Sequence, residues 1–208
     1  MADLEEKERI IETAREKFFR NGITKVTVDE IAEDLGMSKK TVYKFFPSKD
    51  ELLKSVVHFM MGFMERRVEA IVSSDKPFEQ KMTEFLALVG GFASRIGVQF
   101  QRDMQRYAPN LWKEIETFRK DRLFVKLETM FVQAKKEGVF RSDLDQQLFM
   151  LVFMHSMHGI MNPQTLSQQA FSPEIAFKGI FKILFEGVLT DEARAKYHFF
   201  EPTYSQHL

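Results

Sequence analysis

The sequence of 208 residues has no cysteine, only six prolines and ten glycines, and no excess of charge of either sign. Without cysteine there are no disulfides, thiolate nucleophiles or Cys-ligated metal centres. The 30 basic and 30 acidic residues cancel, so nucleic-acid binding would need a local concentration of charge. No apolar run is long enough to cross a bilayer, and the first residues have no features of a secretory signal. We therefore expect a cytoplasmic protein with no membrane partner.

Apolar residues make up 44% of the chain and recur mostly at helical spacing, whereas no alternating strand pattern stands out. Capping residues mark several helix starts: Thr27 with Glu30, Ser48 with Glu51 and, more loosely, Ser142 with Asp145. The sequence therefore predicts an all-α fold. The predicted helices cover about 3–21, 28–35, 39–45, 48–71, a segment after Pro77, a shorter one after Gly97 that ends near Tyr107, 110–136, 143–160 and 173–188.

The two short helices near the N-terminus form the outline of a helix-turn-helix. They are separated by Gly36 and Met37, and Ser38 is placed to cap the second. Between Leu35 and Lys49 the sequence has no acidic residue and four lysines: Lys39, Lys40, Lys44 and Lys49. The second helix of such a motif enters the major groove, which would bring Ser38, Lys39, Lys40, Thr41 and Tyr43 beside phosphates and base edges. The alternative is an ordinary solvated lysine face.

From Thr27 to Leu53 the sequence resembles the DNA-binding signature of the TetR family of bacterial transcriptional regulators. The matching residues are Thr27, Ile31, Ala32, Gly36, Met37, Ser38, Thr41, Val42, Tyr43, Phe46, Ser48, Lys49, Leu52 and Leu53. The resemblance implies that Thr27, Lys39, Thr41, Tyr43 and Lys49 contact DNA, and we add Ser38, Lys40 and Lys44 as candidates from the pattern itself. Lys40 departs from the family, which usually has a small residue there, and could reach a phosphate or a guanine.

The resemblance further implies an N-terminal three-helix DNA-binding domain, followed by a helical domain for ligand binding and dimerisation. We assign residues 1–50 to the first, 51–190 to the second, and 191–208 to a short helix and tail. The helices at about 143–161 and 173–189 are apolar nearly all round, so they must be buried on several sides. We expect them to form a homodimer that reads a palindromic operator, although they could instead be the core of a monomer.

Family members mostly sense a small molecule inside the C-terminal helices, and this chain has 22 phenylalanines and 12 methionines that could line an adaptable apolar pocket. The same residues are also ordinary core. The candidates for pocket lining flank the bends at Gly97 and Pro109 or bring a polar tip into an apolar helix. They are Phe100, Met104, Tyr107, Trp112, Phe118, His155 and His158.

No sequence motif indicates catalysis: the chain has no Gly-x-Ser-x-Gly elbow, no His-Glu-x-x-His and no phosphate loop. His155 and His158 have a spacing compatible with two metal ligands, but no third ligand is evident. We therefore expect no enzyme, catalytic residue, cofactor or metal site. The most favoured function is a repressor that is released from DNA by a small apolar ligand. The alternatives are a DNA-binding regulator controlled by a partner and a metal sensor that uses the two histidines.

Overall fold

A computed structural model describes residues 2–197, and the all-α prediction is confirmed over that range. The described residues contain no β-strand, only an isolated antiparallel bridge between Phe140 and Leu189. Of the segment 191–208, which the sequence predicts to be a short helix and tail, residues 198–208 lie outside the described residues. The helices are α1 (Ala2–Asn21), α2 (Val28–Asp34), α3 (Lys39–Phe45), α4 (Lys49–Val72), α5 (Phe78–Arg95), α6 (Val98–Tyr107), α7 (Pro109–Phe118), a π-helix (Arg119–Phe124), α8 (Val125–Lys136), α9 (Gln146–Ile160), α10 (Pro163–Leu166), α11 (Pro173–Val188) and α12 (Asp191–Lys196).

The chain divides into two compact units. Among the described residues, the N-terminal unit comprises residues 2–66 together with Arg95–Asp121, and the C-terminal unit comprises Arg67–Ser94 together with residues 122–197. The boundary between the compact units therefore does not fall at residue 50, because α6 packs against α1 and belongs to the same unit as the helix-turn-helix. The assignment of 1–50, 51–190 and 191–208 to separate roles stays a prediction.

The core of the N-terminal unit forms around the apolar stripe of α1. Ile10, Ala14 and Phe18 are fully buried, as are Ile31 of α2 and Leu52 of α4. These residues recur at the three- and four-residue spacing that puts side chains on one face of a helix. The first four helices therefore form where the periodicity predicts them.

The C-terminal unit has a core rich in phenylalanine. The ring of Phe153 meets that of Phe181 edge to face with centroids 4.9 Å apart, and Phe131 lies 5.0 Å from Phe149. The cavity left among these side chains has a volume of about 10 Å³, room for one water molecule at most. Its lining residues are Phe78, Met82, Leu127, Met130, Phe131, Phe140, Phe149, Met150, Phe153 and Phe185.

Two predicted helices differ in detail from the structure. The segment 110–136 is not one continuous α-helix, because a π-helix, Arg119–Phe124, separates α7 from α8. The helix predicted from residue 143 begins at Gln146, because the Asp145 carboxylate accepts a hydrogen bond from the backbone N–H of Leu148 at 2.7 Å and caps the first turn. Ser142 is therefore not the cap. No helix within residues 2–197 has the length and apolarity needed to span a bilayer.

Candidate nucleic-acid interface

The helix α3 is oriented by a polar cap and by buried side chains. The Ser38 hydroxyl accepts a hydrogen bond from the backbone N–H of Thr41 at 3.0 Å and lies 2.8 Å from the Thr41 hydroxyl. Val42 and the C-cap residue Phe46 are almost fully buried. The buried side of α3 is thus fixed, and the residues on its opposite side face solvent.

The first helix of the motif, α2, begins with a complete capping box, as the sequence predicts. The backbone N–H of Glu30 donates to the Thr27 hydroxyl at 3.2 Å, and the Glu30 carboxylate accepts from the Thr27 backbone N–H at 2.7 Å. The hydrogen bond from the Thr27 backbone N–H, followed by one that the Thr27 hydroxyl donates to the same carboxylate at 3.1 Å, lowers the pKa of Glu30. Thr27 itself is exposed.

The turn between α2 and α3 depends on Gly36, which has a φ of +64°. Its backbone N–H donates to the Glu33 carbonyl at 3.0 Å, and that of Met37 donates to the Ala32 carbonyl at 2.9 Å. A residue with a Cβ is disfavoured at such a φ, so glycine allows the chain to leave α2 and enter α3 at once.

Two of the four lysines have acidic partners. Lys39 donates to the Asp29 carboxylate at 2.7 Å, and this hydrogen bond raises the pKa of Lys39. The Lys39 ammonium also lies 6.0 Å from the centre of the Tyr43 ring. Lys44 lies 4.0 Å from the Asp3 carboxylate. The positive charge of these two lysines is therefore partly balanced before any ligand binds.

Lys40 is exposed, and within residues 2–197 no hydrogen bond or ion pair engages it. Tyr43 is 39% exposed, and Lys49 is half-buried at the first position of α4. All eight predicted DNA-contact residues lie in the N-terminal unit, and none of them is buried. Their contact with DNA stays a prediction.

Sequence reasoning missed Asp103, a carboxylate of α6 that is only 3% exposed. Its Oδ2 accepts hydrogen bonds from the backbone N–H of Ile23 (2.7 Å) and of Thr24 (2.9 Å) and from the Thr24 hydroxyl (3.0 Å), and its Oδ1 accepts from Gln99 (2.7 Å). Burial acts to raise the pKa of Asp103, but the hydrogen bonds from Thr24, Gln99 and Ile23 outweigh it and hold the pKa below its ordinary value. No local signal links residues 80 positions apart.

The contact between α1 and α6 leaves no room for larger residues. Gly22 has a φ of +85°, and a Cβ on it would lie 2.7 Å from Cγ of Gln99. The backbone N–H of Gly97 donates to the Phe19 carbonyl at 3.0 Å, and the Phe19 and Phe100 rings meet edge to face at 4.8 Å. The turn that leads into α2 is therefore held by α6.

None of the seven predicted pocket residues lines the small cavity of the C-terminal unit described above. Phe100 and Met104 are buried in the N-terminal unit, Tyr107 there is 56% exposed, and Trp112 and Phe118 are half-buried. Trp112 lies 5.6 Å from the Arg119 guanidinium, and burial lowers the pKa of Arg119. The pocket assignment stays a prediction.

His155 and His158 lie in the C-terminal unit, and both are exposed. Within residues 2–197 no group of three or more histidine, aspartate or glutamate side chains is arranged to hold a metal ion. His155 shares its face of α9 with exposed apolar residues at three- and four-residue spacing, Leu148, Leu151 and Val152. That environment is typical of a protein interface.

Residues 10–56 match the family described as "Bacterial regulatory proteins, tetR family". This range contains α2 and α3 and all the predicted DNA-contact residues. The match therefore coincides with the part of the chain that contains α3 and its exposed lysines, Lys39, Lys40 and Lys44.

Similar proteins include the nucleoid occlusion factor SlmA of Serratia proteamaculans, which is 24% identical over 192 residues, covering 86% of this chain and 96% of that protein. A TetR-family regulator from Agrobacterium tumefaciens has the same fold, with a TM-score of 0.66, 16% identity, and coverage of 90% and 99% of the two chains. The regulator FadR from Bacillus subtilis, solved in complex with stearoyl-CoA, has a TM-score of 0.59, 19% identity, and coverage of 87% and 98%.

Proposed function

We propose that this chain, a DNA-binding transcriptional regulator of the TetR family and not an enzyme, is a repressor that binds a palindromic operator as a homodimer. The observation that carries DNA binding is the capped helix α3, which has a buried side at Val42 and an exposed side with Lys40 and Lys44. A helix of this kind can lie in the major groove while flanking cations neutralise phosphates.

The dimer is supported by exposed apolar residues on α9 and α11, two helices that contact each other. On α9, Leu148 is 63% exposed and Leu151 is 53% exposed, and on α11, Ile175 and Ile183 are 60% and 74% exposed. Large apolar side chains exposed on two neighbouring helices are typical of an interaction surface. A second copy would cover it by the two-fold symmetric pairing of the same helices.

A selection experiment tests DNA binding and symmetry together. Full-length protein is incubated with a pool of random-sequence duplexes, and bound sequences are amplified and read. We expect enrichment of an inverted repeat with half-sites about one helical turn apart. If the dimer neutralises six to eight phosphates, the log-log slope of affinity against salt should be about −5 to −7. Recovery of unrelated sequences with no repeat would contradict the proposal.

For control of DNA binding, we propose first that a small apolar ligand enters the C-terminal unit and releases the operator. The family resemblance and the acyl-CoA complex of FadR support this choice. The 10 Å³ cavity is far below the ~300 Å³ of a small ligand pocket, so the phenylalanine core would have to rearrange. Met82, Met130 and Met150 line this cavity and have the flexible side chains that such a rearrangement needs.

The filled core favours a second candidate, a regulator that is controlled by a partner and takes no small ligand. Mass spectrometry under native conditions, followed by titration of the operator complex with stearoyl-CoA and free fatty acids, separates the two. A retained small molecule, or release of DNA by one of these compounds, supports ligand control. A ligand-free protein whose operator complex none of them dissociates supports the partner-controlled regulator.

A further inference from the structure

We infer that Lys40 is the side chain that reads sequence, and that it does so by binding a guanine in each half-site of the operator. The inference rests on the proposed DNA binding by α3 and identifies the base that this helix selects. It follows from the position of Lys40 on α3, from the partners of the neighbouring lysines, and from the hydrogen-bonding capacity of an ammonium group.

The position of Lys40 follows from the buried side of α3. Successive residues of an α-helix are about 100° apart, so Lys40 lies about 160° from Val42, which is only 1% exposed. Lys44, one turn later, lies on the same exposed side. When a recognition helix lies in the major groove, base edges are contacted from the early residues of the helix. Lys40 is therefore directed at the bases, whereas Lys44 lies farther along the helix.

The other two lysines of α3 and the hydroxyl groups at its start already have partners within the protein. Lys39 binds Asp29 at 2.7 Å, and Lys44 lies 4.0 Å from Asp3. The Ser38 hydroxyl caps the helix and contacts the Thr41 hydroxyl. Among the lysines of α3, Lys40 alone has no ion pair or hydrogen bond with the described residues, so binding a base breaks no interaction of its ammonium group.

The chemistry of the ammonium group selects the base. Lysine has three donors and no acceptor. In the major groove guanine presents two acceptors, O6 and N7, whereas adenine presents one acceptor beside a donor, thymine presents one acceptor beside a methyl group, and cytosine presents a donor. A lysine that reaches the base edges can therefore donate twice only to guanine. No acidic side chain that would favour cytosine lies between Leu35 and Lys49.

The test compares operators selected by the wild-type protein, Lys40→Ala, Lys40→Arg and Lys49→Ala. We expect the wild type to select one guanine per half-site at a fixed position. Lys40→Ala should lose that preference, reducing discrimination by about 5- to 150-fold per half-site, and Lys40→Arg should keep it. Lys49→Ala removes the same charge and serves as the matched control. It should weaken binding to all sequences and make the slope of log affinity against log salt concentration shallower by about two per dimer, while the selected operators still contain the guanine.

A chemical probe tests the same contact in the wild-type protein. Replacing the selected guanine by 7-deazaguanine removes N7 but keeps Watson–Crick pairing. We expect wild-type affinity to fall by at least fivefold and that of Lys40→Ala to stay unchanged. A selected operator with no fixed guanine, unchanged wild-type affinity for the 7-deaza operator, or an unchanged guanine preference in Lys40→Ala would overturn the inference and leave the proposed function standing. Failure of the wild type to select any sequence would instead overturn the proposed function.

Discussion

Removal of the Asp103 carboxylate should destabilise the N-terminal unit more than any substitution of an exposed acidic residue there. In Asp103→Ala the backbone N–H groups of Ile23 and Thr24 lose their acceptor, and Gln99 loses its partner. A hydrogen bond to a charged group contributes about 1.5 to 3 kcal/mol. The two backbone hydrogen bonds alone therefore predict a loss of about 3 to 6 kcal/mol in the free energy of unfolding.

Asp103→Asn keeps the shape of the side chain and one acceptor oxygen but removes the charge. Hydrogen bonds to ionised groups are roughly twice as strong as neutral ones, so we expect this variant to lose about half as much stability as Asp103→Ala. Asp50→Asn is the matched control, because Asp50 is exposed and has no hydrogen bond or ion pair with the described residues. It should change stability by less than about 1 kcal/mol.

The pH dependence gives the prediction a sign. Because the pKa of Asp103 is lowered in the folded protein, its stabilisation is fully present above the unfolded-state pKa of about 3.9 and is lost as the pH falls through the folded-state pKa. The stability difference between the wild type and Asp103→Asn should therefore be constant from pH 5 to 8 and shrink below about pH 4.

The assay is urea unfolding followed by tryptophan fluorescence. The single tryptophan, Trp112, lies in the same unit as Asp103, so its fluorescence reports the unit in question. Equal stabilities for wild type and Asp103→Ala would refute the reasoning. So would a difference between wild type and Asp103→Asn that persists unchanged below pH 4, because the carboxylate charge would then have no part in it.

Three further substitutions test other parts of the structure. Gly22→Ala should be less stable than Gly36→Ala in urea unfolding. Both glycines have a positive φ, which costs a residue with a Cβ about 1 to 2 kcal/mol, but of the two only Gly22 has other atoms within 4 Å of the added Cβ. Phe153→Ala should lower the free energy of unfolding by about 3 to 5 kcal/mol and leave a cavity that binds benzene. Benzene should therefore raise the Tm of this variant, and an unchanged Tm would show that the core has collapsed around the missing ring. Ile183→Glu should weaken self-association at least 100-fold, because it places a charge in the apolar interface of both subunits of a symmetric dimer. An unchanged molecular mass by light scattering would show that α11 is not part of the dimer interface.

The helix-turn-helix could be predicted from sequence because its signals are local. Thr27 and Glu30 cap α2 within one turn, and Ser38 caps α3 through a residue three positions away. The predicted bounds of α3, residues 39 to 45, agree with the structure for this reason. Gly36 allows the turn between α2 and α3 through its own positive φ, and this conformational property is local as well.

Features that depend on distant residues could not be predicted in the same way. In the sequence Asp103 is one acidic residue in a charged stretch, and only the fold brings it to the backbone of Ile23. The pairing of Lys39 with Asp29 likewise depends on how α2 and α3 cross. A count of lysines therefore overstates the positive charge that DNA meets, because part of it is balanced by carboxylates that only the tertiary structure brings close.

The pocket prediction depended on residue type, and the structure shows why type is a weak guide in this chain. Phenylalanine and methionine can line a cavity or fill a core, and here Phe149, Phe153 and Phe185 fill the C-terminal unit with rings about 5.6 to 6.4 Å apart. Whether the same side chains admit a ligand depends on the free energy of moving them in the wild-type protein, whereas Phe153→Ala measures the cost of removing one ring. Release of the operator from the wild-type protein by stearoyl-CoA or a free fatty acid would show that the intact core can open, whereas an operator complex that none of them dissociates would favour control by a partner.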